Sequence, residues 1–170
     1  MAIQQSSPRQ PGGVILLGRD YEGTDLRWTS KLQPDATTLT LVGGVAYDVL
    51  AEHRQGFQNF TGSTLGVRGA PRRDEINDES SFDQYAQAAW QFAPQWSLTI
   101  GVRQSRVSFT STDAYIVGTN PDNSYRAAYS ATLPVAGLMF AVNDNLHLYA
   151  TAGCSFETPT LNELDYRRSG

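Results

Sequence analysis

The clearest structural signal in the chain is the stretch LPVAGLMFAVNDNLHLYATAG, from Leu133 to Gly153. Apolar side chains recur there at every second residue, a spacing that is typical of a β-strand with one apolar face. The alternation breaks at the polar triplet Asn143-Asp144-Asn145, and Asn and Asp favour tight turns because their side chains bond the nearby main chain. Two period-2 strands separated by so short a turn predict an antiparallel β-hairpin.

Two further hairpins of the same kind precede this one. The first runs over residues 26–49 and turns at Gln33-Pro34-Asp35. The second runs over residues 86–102 and turns at Ala93-Pro94-Gln95. Three hairpins in succession predict an all-β chain, folded as an antiparallel up-and-down meander.

The connections between the hairpins differ from the turns within them. Long polar connections are predicted near residues 51–81 and 111–125, and short turns at one end with long loops at the other are typical of an outer-membrane β-barrel. We therefore expect residues 23–157 to form about six strands of a transmembrane β-barrel. Residues 1–22, rich in Gln, Ser, Pro and Gly, are expected to be an irregular lead or linker. Residues 158–170 are expected to leave the last strand as a loop, which the family resemblance described below implies is extracellular and truncated.

The two faces of the predicted strands also differ in composition. Alternation with one apolar face is shared with soluble β-sandwiches, so periodicity alone leaves that alternative open. The opposite face mixes Arg, Lys, Gln, Thr, Gly and Tyr, as a water-filled lumen would. Two groups fall out of phase with their strands, which predicts bulges or strands that continue beyond the membrane. Those groups are Val107 with Phe109, and Tyr125 with Tyr129 and Leu133.

Aromatic residues lie beside the tight turns, where an interfacial girdle of a membrane barrel is expected. They are Trp28, Trp90, Phe92, Trp96 and Phe140.

Bulk composition excludes several classes of protein. The 170 residues carry a net charge of −4 with a pI near 5.1, which argues against a nucleic-acid partner. A single cysteine, Cys154, excludes an intrachain disulfide and a multi-cysteine metal site. No apolar run approaches the roughly 18 residues of a spanning helix. The first residues lack the charged start and apolar run of a signal peptide, so none is expected there.

The segment from Leu133 to Leu164 closely resembles TonB-dependent outer-membrane receptors. The resemblance rests on a Pro-x-x-Gly-Leu strand, a short DNL-type turn, an "LY" strand and a loop of the form F-x-x-P-T/S-L-x-E-L. Those elements are Pro134 to Leu138, Asn143 to Leu146, Leu148-Tyr149 and Phe156 to Leu164. A weaker likeness covers Ala46 to Phe60.

The resemblance implies a barrel of about 22 strands closed by a plug domain. Such receptors import siderophore-iron, cobalamin or other scarce cofactors across the Gram-negative outer membrane, with energy supplied through TonB. About six strands cannot close that barrel, so we expect a receptor fragment that does not function alone. Its expected partners are outer-membrane lipid, the remaining barrel and plug, TonB through an absent N-terminal part, and a small ligand such as a metal chelate.

No arrangement of residues indicates catalysis, and neither an enzyme nor a bound cofactor is expected. His53 and His147 lie in different segments without a carboxylate at motif spacing, and His147 is expected to face the lumen as a wall residue. The acidic cluster Asp74, Glu75, Asp78 and Glu79 lacks the spacing of a calcium loop and is expected to form a solvated loop beside two arginines.

Candidate ligand-binding residues follow from the resemblance, which places substrate against extracellular loops and the upper lumen. The same residues have structural interpretations: Phe156 packs, and Glu163 caps the helical turn that Thr160 begins. Cys154-Ser155 stand where the family usually carries a basic residue and a glycine, which weakens the functional interpretation of this loop. The alternative to a receptor fragment is a small self-contained β-barrel or a soluble β-sandwich binding protein. The candidate residues are Phe156, Glu157, Asn162, Glu163, Arg103 and Tyr149.

Overall fold

The computed structural model describes residues 13–34, 37–118 and 120–159. Most of them lie in strands, because extended segments with alternating side chains satisfy their backbone groups by pairing with neighbours. The strands are β1 (Gly13–Leu32), β2 (Thr38–Gln58), β3 (Phe60–Thr61), β4 (Thr64–Leu65), β5 (Pro71–Ala93), β6 (Trp96–Asp113), β7 (Tyr125–Asn143) and β8 (Leu146–Gly153).

Six of these strands form one antiparallel sheet in the order β1-β2-β5-β6-β7-β8. Apart from the small β3–β4 hairpin inside the β2–β5 connection, each strand pairs with the next along the chain. The three tight connections lie at one end of the sheet and the two long ones, residues 59–70 and 114–124, at the other. The predicted all-β up-and-down meander is therefore confirmed.

The strands reach further than their hydrophobic pattern predicts. β1 begins at Gly13, so the expectation of an irregular lead over residues 1–22 is wrong for residues 13–22, while residues 1–12 lie outside the described part. Most of the long loop expected over residues 51–81 is likewise strand, since β2 ends at Gln58 and β5 begins at Pro71. The outer ends of β2 and β5 carry mainly polar residues on both faces, so alternation fades although backbone pairing continues. β1 instead begins with the continuous apolar run from Val14 to Leu17, which has no alternation either.

The acidic cluster predicted as a solvated loop is also part of β5. Asp74 and Asp78 project from one face of the strand, and Glu75 and Glu79 from the other. Glu75 is 8% exposed, so the cluster is divided between two environments rather than uniformly solvated. The sequence prediction failed here because consecutive charges resemble a loop even where a strand separates them.

The phase changes seen in the sequence are not bulges. Irregular register occurs at Gly56/Phe57, Gln91/Ala93 and Ala141/Asn143, away from the positions in question. β6 and β7 pair with each other in regular register throughout. Val107 and Phe109 therefore lie on the opposite face of β6 from Val102. The second explanation, strands that continue past the apolar region, is the correct one.

Cross-strand partners share a face, so the register sorts every strand residue onto one of two faces. The outer face is the one that carries Trp90, Ile100 and Leu138; the inner face is the one that carries Glu52 and Asp83. The polar residues buried in the sheet all lie on the inner face: Glu52, Glu75, Asn77, Asp83, Ser105, Ser111 and Asp113.

The sheet is a single layer without a conventional core. Among the described residues only Phe57 and Phe109 are buried hydrophobic side chains, whereas Leu26 and Trp28 on the outer face are 69% and 61% exposed. A soluble sandwich would cover such a face with a second sheet. The described residues contain no second layer of that kind, and β1 and β8 each leave one edge unpaired. The described residues therefore form neither a sandwich nor a closed small barrel.

The apolar side chains of the outer face form a band across the sheet. The edge of the band does not follow one row of paired residues across the sheet. Val49 on β2 belongs to the band, whereas Ser80, its partner on β5, and Ser108, the partner of Ser80 on β6, do not. On β6 the band ends at Val102. An oblique band is expected where strands are tilted by about 45° to a membrane, as barrel strands are.

An aromatic row marks the turn end of the band. The ring centroids of Trp90 and Phe92 are 5.5 Å apart, those of Phe92 and Trp96 6.5 Å, and those of Trp96 and Phe140 4.5 Å. The row contains four of the five residues of the predicted interfacial girdle, and aromatic side chains favour the boundary between hydrocarbon and water. The fifth, Trp28, lies further from the turn, opposite Gly43. A search of the described residues for a helix with the length and hydropathy of a membrane span finds none.

Candidate ligand-binding surface

Buried carboxylates on the inner face, beyond the level of the apolar band, form the first feature of this surface. Glu52 is 3% exposed, and its Oε2 lies 2.5 Å from the Nε of Arg19 on β1. The amide of Asn77 on β5 donates to the other oxygen of Glu52 at 3.1 Å. A buried charge requires such partners because desolvation is unfavourable by several kcal/mol per ion. Glu52 therefore ties three adjacent strands together.

Two more acidic residues continue this polar wall toward the turn end. Asp48 accepts a hydrogen bond from the Tyr21 hydroxyl at 2.8 Å, and Arg103 forms an ion pair with buried Asp83. Glycines make the close approach possible: a Cβ at position 23 would lie 2.2 Å from Asp48 Oδ1. The inner wall is thus a packed polar layer in which small residues provide room for charged neighbours.

A cavity of about 610 Å³ lies at the long-loop end of the inner face. Its lining combines guanidinium, carboxylate, amide and phenol groups, which suits a polar ligand with several hydrogen-bonding groups better than an apolar one. The cavity is open and belongs to one sector of wall. Its polar lining residues include Arg54, Arg73, Glu75, Ser111, Asp113, Tyr115, Asn120, Asn123 and Tyr125.

The loop over residues 114–124 is anchored by Asp113 at the end of β6. One carboxylate oxygen of Asp113 accepts from the amide of Tyr115 at 2.8 Å, and the other accepts from the amide of Asn123 at 3.3 Å. The Asp113 amide donates to the Ser124 hydroxyl at 2.9 Å. One carboxylate therefore holds both ends of the loop, so Tyr115 and Asn123 are fixed at the cavity before any ligand arrives.

The loop over residues 59–70 lies at the same end of the sheet. It contains the β3–β4 hairpin, and Gly62 and Gly66 adopt positive φ angles of 59° and 78° there. The guanidinium of Arg68 stacks over the Phe57 ring with its Cζ 3.7 Å from the ring centroid, a cation–π contact. This contact pins the loop back against the end of β2.

A separate polar group lies on the outer face beyond the apolar band. His53 Nε2 lies 2.7 Å from Asp74 Oδ1, and Gln55 donates to Asp74 Oδ2 at 3.0 Å. These contacts hold the pKa of the Asp74 carboxyl below its usual range, because hydrogen bonds from His53 and then Gln55 stabilise the charged form. His53 therefore has a carboxylate partner that its sequence context did not reveal.

The structure does not bring the predicted ligand residues together. Arg103 lies on the inner face in mid-sheet, committed to Asp83. Tyr149 lies on β8 near the tight turn; its partner Met139 pairs with Ser97, six residues or about 20 Å along the strand from Arg103. Phe156 is half-buried and Glu157 exposed in the segment after β8. Asn162 and Glu163, with the Thr160 cap, lie outside the described residues.

Residues that sequence reasoning missed build most of this surface. Asp48, Glu52 and Asn77 fall within or beside the segment assigned to a loop, and Asp113 was not singled out. A usable signal existed on β2, where the polar residues Asp48, Glu52 and Arg54 share one parity, interrupted only by Leu50. A search of the described residues for three or more His, Cys, Asp or Glu side chains able to hold a metal ion finds no such group.

A single sheet with an apolar outer band, an aromatic girdle and a polar inner face defines a segment of the wall of a membrane β-barrel. Comparison with known families agrees with this. Residues 3–169 match the family described as TonB dependent receptor-like, beta-barrel. The chain therefore belongs to the TonB-dependent receptor β-barrel family, whose members are transporters of the Gram-negative outer membrane.

Solved structures share the fold at low sequence identity. The ferric citrate transporter FecA in its unliganded form matches with a TM-score of 0.76 and 17% identity, over 92% of this chain and 23% of FecA. BauA, the ferric preacinetobactin receptor of Acinetobacter baumannii, matches with a TM-score of 0.64 and 21% identity, over 82% of this chain and 22% of BauA. The siderophore receptor PiuA of the same organism matches with a TM-score of 0.66 and 13% identity, over 81% of this chain and 24% of PiuA. The chain spans about a quarter of the length of these relatives.

Proposed function

We propose that the chain forms six neighbouring wall strands of a TonB-dependent outer-membrane transporter that takes up a scarce nutrient, with a siderophore-bound or other chelated metal ion as the favoured ligand class. The solved relatives are named as receptors or transporters for ferric citrate, ferric preacinetobactin and siderophores. Cobalamin and other cofactors are the alternatives within this proposal. The chain contributes no catalytic step in it.

The observation that carries this proposal is the opposite character of the two faces of one sheet. Apolar side chains on the outer face are exposed, whereas carboxylates on the inner face are buried and paired. This inversion suits a wall with lipid outside and a polar filling inside. In the proposed receptor the remaining strands and the plug complete the lumen, and TonB supplies the energy.

In this proposal, ligand meets the cavity at the long-loop end. The Asp113-anchored loop presents Tyr115 and Asn123 there, and Arg54 and Arg73 line the cavity, Arg73 in an ion pair with Glu75. Guanidinium groups suit an anionic chelate. Phe156 and Glu157 remain candidates, as do Asn162 and Glu163, if the segment beyond β8 folds over the same end of the barrel.

The lipid-facing assignment is tested with the three tryptophans, Trp28, Trp90 and Trp96, all of which lie on the outer face. We expect the chain to require detergent, and its tryptophan fluorescence to be quenched in micelles of a brominated maltoside. In a variant retaining only Trp90, quenching should persist. Moving that tryptophan one position, by Trp90→Phe with Gln91→Trp, should abolish quenching because the side chain changes face. A detergent-free monomer that unfolds cooperatively would contradict the proposal.

The transport assignment is tested in cells producing the receptor that contains this chain. Uptake of radiolabelled iron as ferric citrate or a ferric siderophore should require both the receptor and TonB. The variant Asp113→Ala should reduce uptake by weakening ligand binding while leaving receptor abundance unchanged. Uptake that is equal with and without TonB would contradict the assignment.

A further inference from the structure

The inner face of β7 differs in chemistry from the inner faces of the strands before it. Every second residue from Tyr125 to Ala141 lies on that face, and these residues are tyrosine, alanine, leucine, valine, glycine and methionine. We call them the β7 lane. None of them carries a charge or a side-chain amide. The inner faces of the four preceding long strands all carry charged residues: Arg19 on β1, Glu52 on β2, Asp83 on β5 and Arg103 on β6.

The neighbours of the β7 lane on β6 leave it almost without charge. Arg103 pairs with the lane residue Leu133, but its guanidinium forms an ion pair with Asp83 on β5, on the side of β6 that is remote from β7. The other lane partners on the inner face of β6 are serine, threonine, glycine, valine and phenylalanine. The lane is therefore a neutral strip beside a wall of paired charges.

Close packing gives the β7 lane an even surface. A Cβ at Gly101 on β6 would lie 3.2 Å from Val135 Cγ1, and a Cβ at Gly153 on β8 would lie 3.4 Å from Val135 Cγ2. Val135 thus lies between two positions without side chains. Nearer the long loops, the rings of Phe109 and Tyr129 meet edge to face with their centroids 6.1 Å apart. Packed apolar groups, and not flexible charged side chains, form this part of the inner surface.

The β7 lane connects the two ends of the sheet. At the loop end Tyr125 lines the cavity of about 610 Å³ described above, and at the other end Ala141 lies next to the last tight turn. The two residues are 16 positions apart, which is about 53 Å along the strand and roughly 37 Å along the membrane normal at a tilt near 45°. A bilayer has a hydrocarbon core about 30 Å thick. The lane therefore runs from the cavity across the whole membrane.

A neutral wall and a charged wall suit different contents of a lumen. Charge-assisted hydrogen bonds from a charged wall would hold an ionic chelate at one level, and each bond would have to break before the chelate moved on. Passage requires contacts that are weak enough for the ligand to leave each position. The lane offers only contacts of that kind. The charged inner faces of β1, β2 and β5 suit instead a domain that stays in place.

We propose that the β7 lane is the side of the lumen along which the chelate passes from the cavity toward the turn end, with the fixed contacts of the plug on the charged inner faces of β1, β2 and β5. Tyr129, Leu133 and Met139 then contact the ligand in transit. This inference rests on the proposed function, because it requires a transported ligand and a lumen that a plug fills.

The test measures uptake of radiolabelled iron, supplied as ferric citrate or ferric preacinetobactin, in cells producing the receptor that contains this chain. Ala131→Trp places an indole ring over the lane and should lower TonB-dependent uptake about tenfold, while binding of the probe at the cell surface stays unchanged. Ala46→Trp is the matched control, and it should lower uptake by less than about twofold. Both alanines lie on the inner face in one row of cross-strand partners: Ala46, Asp83, Ser105 and Ala131.

Receptor abundance in the outer membrane and surface binding of the probe report whether each variant is assembled. If Ala131→Trp is not assembled, Ala131→Leu and Ala46→Leu make the same comparison, with an expected loss of about threefold for the first and none for the second. Loss of surface binding together with uptake in an assembled Ala131 variant would assign the residue to the binding surface and overturn the inference.

The remaining outcomes separate the inference from its premise. Equal loss of uptake by the substitutions at Ala131 and Ala46 would show general narrowing of the lumen and overturn the inference. Unchanged uptake with Ala131→Trp would also overturn it. Increased entry of vancomycin into Ala131→Trp cells would show that the lane holds the plug, which contradicts the inference. Absence of TonB-dependent uptake of both probes by the unaltered receptor would instead overturn the proposed function.

Discussion

The outer band and the inner wall are built on the same strands, one residue out of step, yet they are stabilised in opposite ways. On the outer face, side chains such as Ile100 are half exposed and become favourable only against lipid. On the inner face, Glu52 is almost fully buried and is stabilised by Arg19 and Asn77. The two faces of the same strands therefore meet different environments, one apolar and one polar. A substitution should change the free energy of unfolding through apolar burial on the outer face and through charge pairing on the inner face.

The largest effect should come from placing a charge in the outer band. Ile100→Arg is expected to lower the free energy of unfolding by about 2–4 kcal/mol, the range for arginine near the middle of a barrel's apolar zone. Thr99→Arg, at the adjacent inner-face position, should change it by less than about 1 kcal/mol. Denaturant unfolding of the chain in micelles measures both. Similar losses for the two variants would break the distinction between the faces.

A smaller effect is expected from unpairing the inner wall. Arg19→Met leaves the buried Glu52 carboxylate without its cation and should destabilise the chain by about 1–3 kcal/mol; this is below the usual value for a buried pair because Arg19 is 55% exposed. Arg27→Met, on the same face of β1, should have little effect. Adding Glu52→Leu to Arg19→Met should recover part of the loss, which a double-mutant cycle measures. No recovery would argue against charge burial as the cause.

Two neighbouring glycines offer a sharper comparison of the faces. A Cβ at Gly44, on the inner face, would lie 2.5 Å from the Tyr85 hydroxyl and 2.7 Å from the Leu26 carbonyl oxygen. Gly44→Ala should therefore destabilise the sheet by about 1–3 kcal/mol through overpacking. A Cβ at Gly43, on the outer face, meets only ordinary contact at 3.8 Å, so Gly43→Ala should be neutral or stabilising. Denaturant unfolding in micelles measures both variants, and an equal loss of stability for Gly43→Ala and Gly44→Ala would contradict the difference between the faces.

The smallest global effect is expected at the loop anchor. Asp113→Ala removes the acceptor for the Tyr115 and Asn123 amides and should destabilise the chain by about 1 kcal/mol, while strongly increasing local opening of the loop. Hydrogen exchange should accelerate at Tyr115 and Asn123 and stay unchanged within β5. Asp78→Asn, on the exposed outer face, is the control. Uniform acceleration across the sheet would show that Asp113 supports the whole wall and not its loop.

The sequence predicted the apolar half of this molecule better than the polar half. The hairpins, the strand alternation and four of the five girdle aromatics were predicted correctly, because the band imposes a period of two along each strand. Trp28 was placed in the girdle, but it lies away from the aromatic row, level with Gly43 and Ala86. The outer ends of β2 and β5 were predicted as loop, because beyond the band neither face needs apolar residues. The pairing of Glu52 with Arg19 joins residues 33 positions apart, and periodicity alone does not specify such a contact.

The ligand candidates show the same limit. Arg103 was correctly assigned to the polar face, but its commitment to Asp83 depends on the register between β5 and β6. Tyr149 was placed with Arg103 in the upper lumen behind the loop residues, although its place four residues after Asn145 puts it near the opposite end of the sheet. Whether a strand residue has an odd or an even number decides which face of the sheet it lies on. Its distance from the turn end of the sheet depends instead on the register between neighbouring strands.

The slant of the apolar band against the register restricts which further strands could pair with the two free edges of the sheet. In a closed barrel the apolar band runs around the whole circumference and stays at one level in the membrane. The hydrogen-bonding register drifts steadily relative to that band, and the accumulated drift equals the shear of the barrel. Between β2 and β6 the outer end of the band shifts along the register from Val49 to Val102, which is level with Gly43. This shift is the contribution of these strands to the shear of the barrel. Any strand that pairs with the free edge of β1 or β8 must keep its own apolar residues level with this band, which restricts its possible register.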